Sequence, residues 1–145
     1  MATAQDILDR KGNRIVSASP DDTVQEAASK MNAEHIGALL VLGPNGEMQG
    51  IFTERDVLHR VVAQGCDPAR TRVKEVMTPR VACCKPTTTL DECRTAMTDN
   101  RIRHLPVVQE DQLVGMISSG DVMAQELRSQ QSTIEYLHAY LNGRM

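Results

Sequence analysis

The chain has 145 residues and a formal net charge of −3, with a pI near 5.8. That length suits one small domain, and the acidic balance argues against a general nucleic-acid binder. Phe52, Tyr136 and Tyr140 are its aromatic residues, so stacking platforms for single strands are essentially absent and the core must be aliphatic. No apolar run approaches the ~20 residues of a membrane span. The N-terminal MATAQDILDRKG lacks a hydrophobic signal segment and carries acidic residues, so the cytoplasm is the expected compartment.

In chain order, a short lead-in (4–8, AQDIL) precedes a predicted strand at 15–17. Thr23-Val-Gln-Glu26 fits a capping box, and Val24, Ala27, Ala28 and Met31 then lie on one helical face. The apolar, partly β-branched run 38–42 reads as a buried strand. Gly43-Pro-Asn-Gly46 is a turn, and a second strand ends at Phe52. A further helix starts near Thr53 and carries Val57, Leu58, Val61 and Val62. A polar segment, 64–72, is a linker.

The pattern then repeats. Residues 73–77 (VKEVM) echo the first lead-in, and a strand is predicted at 81–83. Thr89-Leu-Asp-Glu92 repeats the capping box, with Leu90, Cys93, Ala96 and Met97 on the apolar face. The strand 105–108 leads through Glu110-Asp111 to a strand ending at Ile117. A helix near Ser118 carries Val122, Met123 and Leu127. Each copy reads β-α-β-β-α, so the expected fold is α+β, two such repeats (4–66 and 73–130) about a pseudo-twofold axis with two equivalent grooves. A repeat of about sixty residues is too long for most solenoid units. A tail, 131–145, adds a separate helix over 132–141. Ile134, Leu137 and Leu141 form its apolar stripe, and Gly143 is its expected stop.

Cys66, Cys83, Cys84 and Cys93 show no C-x-x-C spacing and read chiefly as small hydrophobes. Cys83 and Cys84 would face opposite sides of a strand. The four His show no zinc-type spacing, so no metal site is expected. No nucleophile–base–acid set is visible, and no enzymatic activity is expected.

The segments that carry chemistry are Gly50-Ile-Phe-Thr53-Glu-Arg-Asp56 and Gly115-Met-Ile-Ser118-Ser-Gly-Asp121. Each sets a hydroxyl at a strand end and a carboxylate three residues on, at a helix start. This is itself a capping-box variant, so a purely structural reading is open. A helix start also offers N–H groups and positive potential to a phosphate, and the carboxylate can accept two hydrogen bonds from a ribose diol. The Gly ahead of each motif suggests close backbone approach.

Residues 4–130 resemble a pair of cystathionine-β-synthase (CBS) domains, or Bateman module. The resemblance rests on the repeated G-h-h-S/T-x-x-D signature, the strand R-I-R-H-L-P-V-V and the V-M-T-P lead-in at Val76. The module is expected to stand alone, without an attached enzyme, transporter or DNA-binding domain. The resemblance implies an adenosine ligand, such as AMP, ADP, ATP, NAD(H) or S-adenosylmethionine, bound in the grooves between repeats. It implies that Asp56 and Asp121 hold ribose and that Thr53 and Ser118 hold phosphate, with Arg103 and His104 near phosphate. Val16, Ser17, Ile36, Gly37 and Ala38 would line the first groove, and Ala82, Cys83 and Ile102 the second. The first copy has Gly37-Ala38 where the second has Arg103-His104, so Arg55 or Arg60 would replace them. A homodimer and an unknown target protein are the implied partners, with neither nucleic acid nor membrane. The alternative is a ligand-free dimerisation scaffold.

Overall fold

The computed structural model describes residues 1–142, and Gly143 lies outside them. The chain forms two compact units, 15–81 and 1–14 together with 82 onward. The two sequence copies and the two units therefore differ in one respect. Each lead-in folds with the other copy: 4–8 joins the second and 73–77 joins the first.

The 15–81 unit contains β1 (Ser17–Ala18), α2 (Val24–Glu34), β2 (Ala38–Leu42), β3 (Met48–Thr53), α3 (Glu54–Asp56), a π-helical stretch (Val57–Val62) and α4 (Val73–Val76). Strand order is β1-β2-β3, with β1 parallel and β3 antiparallel to β2. Thr23 caps α2 as expected, its hydroxyl accepting the Glu26 N–H. Val24, Ala27 and Met31 pack with Leu39, Val41, Phe52 and Val61 in the core. β1 begins at Ser17 rather than Ile15. In the helix after Thr53, Val61 is buried, whereas Leu58 and Val62 are exposed. The four apolar residues read there do not form one buried face: Val57 is half-buried and only Val61 is fully covered.

The other unit contains α1 (Ala4–Lys11), α5 (Leu90–Asn100), β4 (His104–Gln109), β5 (Gln112–Ser118) and α6 (Ser119–Leu141). β4 and β5 form an antiparallel pair. The strand expected at 81–83 does not form; a single parallel bridge follows it, between Cys84 and Val107. The Pro106 carbonyl receives the Cys84 N–H, and the Cys84 carbonyl receives the Val108 N–H. Ile7 and Leu8 of α1 join Leu105, Val107, Ile117 and Val122 in this core. Cys83 is exposed and Cys84 buried, and Cys93 is fully buried. The Cys93 contact first, and burial second, push the Cys84 thiol strongly upward.

The expected break before the tail is absent: α6 runs unbroken for 23 residues. No Gly or Pro lies between Val122 and Leu141 to stop it. Met123, Leu127, Ile134, Leu137 and Leu141 are all exposed along it. Among the described residues no helix is long and apolar enough to cross a membrane.

Candidate functional site

The two Thr/Ser-x-x-Asp motifs build the same local device. At the end of β3 the Thr53 N–H donates to Asp56 Oδ2 at 3.0 Å, and the Asp56 N–H returns to Thr53 Oγ1 at 3.2 Å. At the end of β5 the Ser118 N–H donates to Asp121 Oδ2 at 2.8 Å, and the Asp121 N–H to Ser118 Oγ at 3.1 Å. Each is a reciprocal capping box, which satisfies two backbone donors at a strand-to-helix corner. The first helical N–H is also spent, on the Gly37 carbonyl by Glu54 (3.0 Å) and on the Arg103 carbonyl by Ser119 (2.8 Å).

Beyond the cap the two carboxylates differ. Asp56 is 6% exposed. The Thr78 hydroxyl donates to its Oδ1 at 3.1 Å, and the Thr53 hydroxyl donates to its Oδ2 at 3.3 Å. Arg60 Nε stands 3.6 Å from Oδ1, while another guanidinium nitrogen of Arg60 holds the Met77 carbonyl at 2.9 Å. Both oxygens of Asp56 are thus committed to the chain itself.

Asp121 has a side chain 27% exposed and pairs with Lys11, whose Nζ lies 2.8 Å from Oδ2. Lys11 Nζ also donates to the Met116 carbonyl at 3.0 Å. Among the described residues Asp121 Oδ1 accepts no hydrogen bond, and the Ser118 hydroxyl, having accepted one, donates none. Burial pushes the Asp121 carboxyl up, but Lys11 and Ser118 together outweigh it and hold it below the usual carboxylate range.

The glycines ahead of the motifs do require close approach, by the lead-ins. A Cβ on Gly50 would stand 2.6 Å from the Thr78 carbonyl oxygen, and one on Gly115 would stand 2.7 Å from a Leu8 methyl. Thr78 and Ile51 exchange two backbone hydrogen bonds at 2.9 Å, so residue 78 is strapped to the outer edge of β3.

Two strand-to-helix corners of one pattern, each packed by a lead-in, agree with the sequence model of the CBS domain, which matches residues 3–63 and again 73–127. The chain belongs to the CBS domain family. It is 35% identical over 150 residues to the mitochondrial CBS domain-containing protein CBSX3 of Arabidopsis thaliana, covering 97% of this chain and 72% of the relative. The crystal structure of the CBS-domain protein ATU1752 from Agrobacterium tumefaciens superposes with a TM-score of 0.81 at 42% identity, covering 86% of this chain and 93% of that one. PAE2072 from Pyrobaculum aerophilum, a CBS domain protein complexed with AMP, shares the fold with a TM-score of 0.73 at 23% identity, covering 82% of this chain and 88% of that one.

Within this CBS pair, the remaining site residues read from the sequence divide by unit. Val16, Ser17, Ile36 and Gly37 are half-buried near β1 and the start of β2, whereas Ala38 is fully buried opposite Thr53. Arg55 is exposed on α3. In the other unit His104 is half-buried and pairs across the sheet with Ser118. Arg103 precedes it and its backbone anchors the start of α6, while Ala82 and Ile102 are half-buried and pack against the core. Sequence reasoning missed Lys11 and Thr78. The repeat contained a signal for them: each follows its lead-in closely, and the glycines suggested a close neighbour at β3 and β5.

Proposed function

We propose that the chain is a regulatory module of the cytoplasm that senses an adenine nucleotide, AMP, ADP, ATP or NAD(H), and performs no catalysis itself. The observation that carries this reading is the open oxygen of Asp121. A carboxylate fixed by a cap and an ion pair, yet left with one exposed acceptor, is pre-organised to receive a ribose hydroxyl. The free Ser118 O–H can donate to a phosphate beside it, with Arg103 and His104 bordering the same corner. Ala82, Cys83 and Ile102 would line the base. The AMP complex of PAE2072 supports the ligand class.

Asp56 is the weaker half in this reading. A ribose there must reach a carboxylate that is 6% exposed and share or displace the Thr78 hydroxyl on it, with Thr53, Arg55, Val16, Ser17, Ile36, Gly37 and Ala38 around it. A thermal-shift panel with AMP, ADP, ATP and NADH tests the proposal. A ligand at 100 times its Kd should add about 2.7 kcal/mol to stability. No shift with any of them would leave the scaffold reading.

That second reading has its own observation, the exposed apolar residues along α6. An apolar stripe of this kind marks an interface, and a homodimer is the proposed assembly. Light scattering should report about twice the 16.0 kDa chain mass, and a monomer at micromolar concentration would remove the dimer from the account.

A further inference from the structure

A carboxylate is an awkward anchor for a nucleotide, because it repels the phosphate that accompanies the ribose, and this chain already carries a net charge of −3. The Asp121 corner contains an answer that lies outside the repeated motif. Lys11 reaches it from the last turn of α1, with Nζ 2.8 Å from Asp121 Oδ2 and 3.0 Å from the Met116 carbonyl. An ammonium has three N–H donors. Two are used by these contacts, and the third has no acceptor among the described residues. The Lys11 side chain is 38% exposed, so that donor is reachable from solvent.

The position of Lys11 is set by packing. Ile7 and Leu8, the buried residues of the turn before it, belong to the core of its unit, and Leu8 occupies the space left by Gly115. The ammonium is therefore delivered to Asp121 before any ligand arrives. The corner offers three uncommitted groups together: the Asp121 Oδ1 acceptor, the Ser118 O–H donor and the third N–H of a cation. An uncharged nucleoside uses the acceptor alone. A nucleoside phosphate uses the acceptor for a hydroxyl and both donors for phosphate oxygens, in charge-assisted hydrogen bonds.

The other lead-in makes no such delivery. Continuing the match of 4–8 with 73–77 sets Arg80 opposite Lys11. Arg80 is exposed, and the lead-in contact to Asp56 comes from the neutral Thr78 hydroxyl.

We propose that Lys11 is a ligand-binding residue of the Asp121 corner and makes it select phosphate-bearing nucleosides over uncharged ones. The inference rests on the reading of Asp121 as the ribose anchor. Calorimetric titration of the full chain with AMP and, separately, adenosine tests both levels. Wild type should bind AMP more tightly than adenosine. Lys11→Met, which keeps the aliphatic stem, should weaken AMP about tenfold while leaving adenosine within about twofold, the size expected for one charged hydrogen bond. Lys11→Arg should retain most of the preference, and Arg80→Met should change neither affinity. Lys11→Gln serves as a second neutral variant should the first fail to fold. If AMP and adenosine weaken together, or neither changes, Lys11 is only a structural partner of Asp121 and the proposal is overturned while the ribose anchor stands. If wild type binds neither compound, the nucleotide reading falls and this proposal falls with it.

Discussion

Asp56 and Asp121 occupy the same place in two copies of one motif, with almost the same capping geometry, yet one carboxylate is closed and the other half open. The difference comes from the third partner. At Asp56 that partner is Thr78, strapped to β3 by two backbone bonds and assisted by Arg60. At Asp121 it is the end of a lysine on a helix packed by its own apolar face. A motif of seven residues sets the cap, while a segment remote from it in the sequence decides whether the carboxylate is a structural rivet or an exposed acceptor.

The comparison breaks most readily by removing the carboxylates. Asp56→Ala strands the Thr53 N–H and the Thr78 hydroxyl and leaves Arg60 without its buried partner. It should cost about 3 kcal/mol in urea denaturation. Asp121→Ala removes a partly exposed cap and ion pair and should cost about 1 kcal/mol. Equal losses would mean that the two corners carry the same structural role.

The glycines sharpen the same contrast. Gly50→Ala meets a backbone carbonyl that is hydrogen-bonded in place, and should cost about 2–3 kcal/mol. Gly115→Ala meets the end of the Leu8 side chain, which can turn, and should cost about 1 kcal/mol. The ordering of the two thermal midpoints checks this, and a larger loss at Gly115 would reverse the account of which lead-in is strapped more firmly.

The smallest effect is the dependence on acid. The Asp121 carboxyl is held below its ordinary value in the folded chain. Its contribution is therefore complete above the unfolded carboxylate value of about 3.9 and is lost as pH falls through the lower folded value. Lys11→Met should cost less than about 1 kcal/mol at pH 7, and the deficit should vanish in strong acid. Urea midpoints of both proteins across pH would show this convergence, and a deficit that persisted in acid would assign Lys11 a packing role instead.

Much of this organisation is legible in the sequence because it is local and said twice. Thr23 and Thr89 announce their helices by capping, and the apolar runs 38–42 and 105–108 announce the strands that form the cores. The motif residues Thr53, Asp56, Ser118 and Asp121 sit where strand meets helix for the same reason. What escaped reading is non-local or lacks a local stop. Nothing in residues 4–11 or 73–80 says which copy each will pack against, and the glycines give only the need for a close neighbour. No strand forms at 81–83, although its composition is strand-like, and the one bridge nearby falls at Cys84. The tail joins α6 because nothing between Val122 and Leu141 interrupts a helix, a negative feature that an apolar-stripe reading passes over.

The central claim is that the Asp121 half binds nucleotide first while the Asp56 half holds its own chain together. The most direct test is calorimetric titration of AMP into Asp121→Asn and Asp56→Asn, with the folded fraction of each fixed by its urea curve. The account predicts that Asp121→Asn loses the tighter binding by at least about tenfold with a modest loss of stability. It predicts that Asp56→Asn is clearly destabilised but keeps the tighter binding in its folded fraction. Loss of the tighter binding on Asp56→Asn, with Asp121→Asn unaffected, would contradict it.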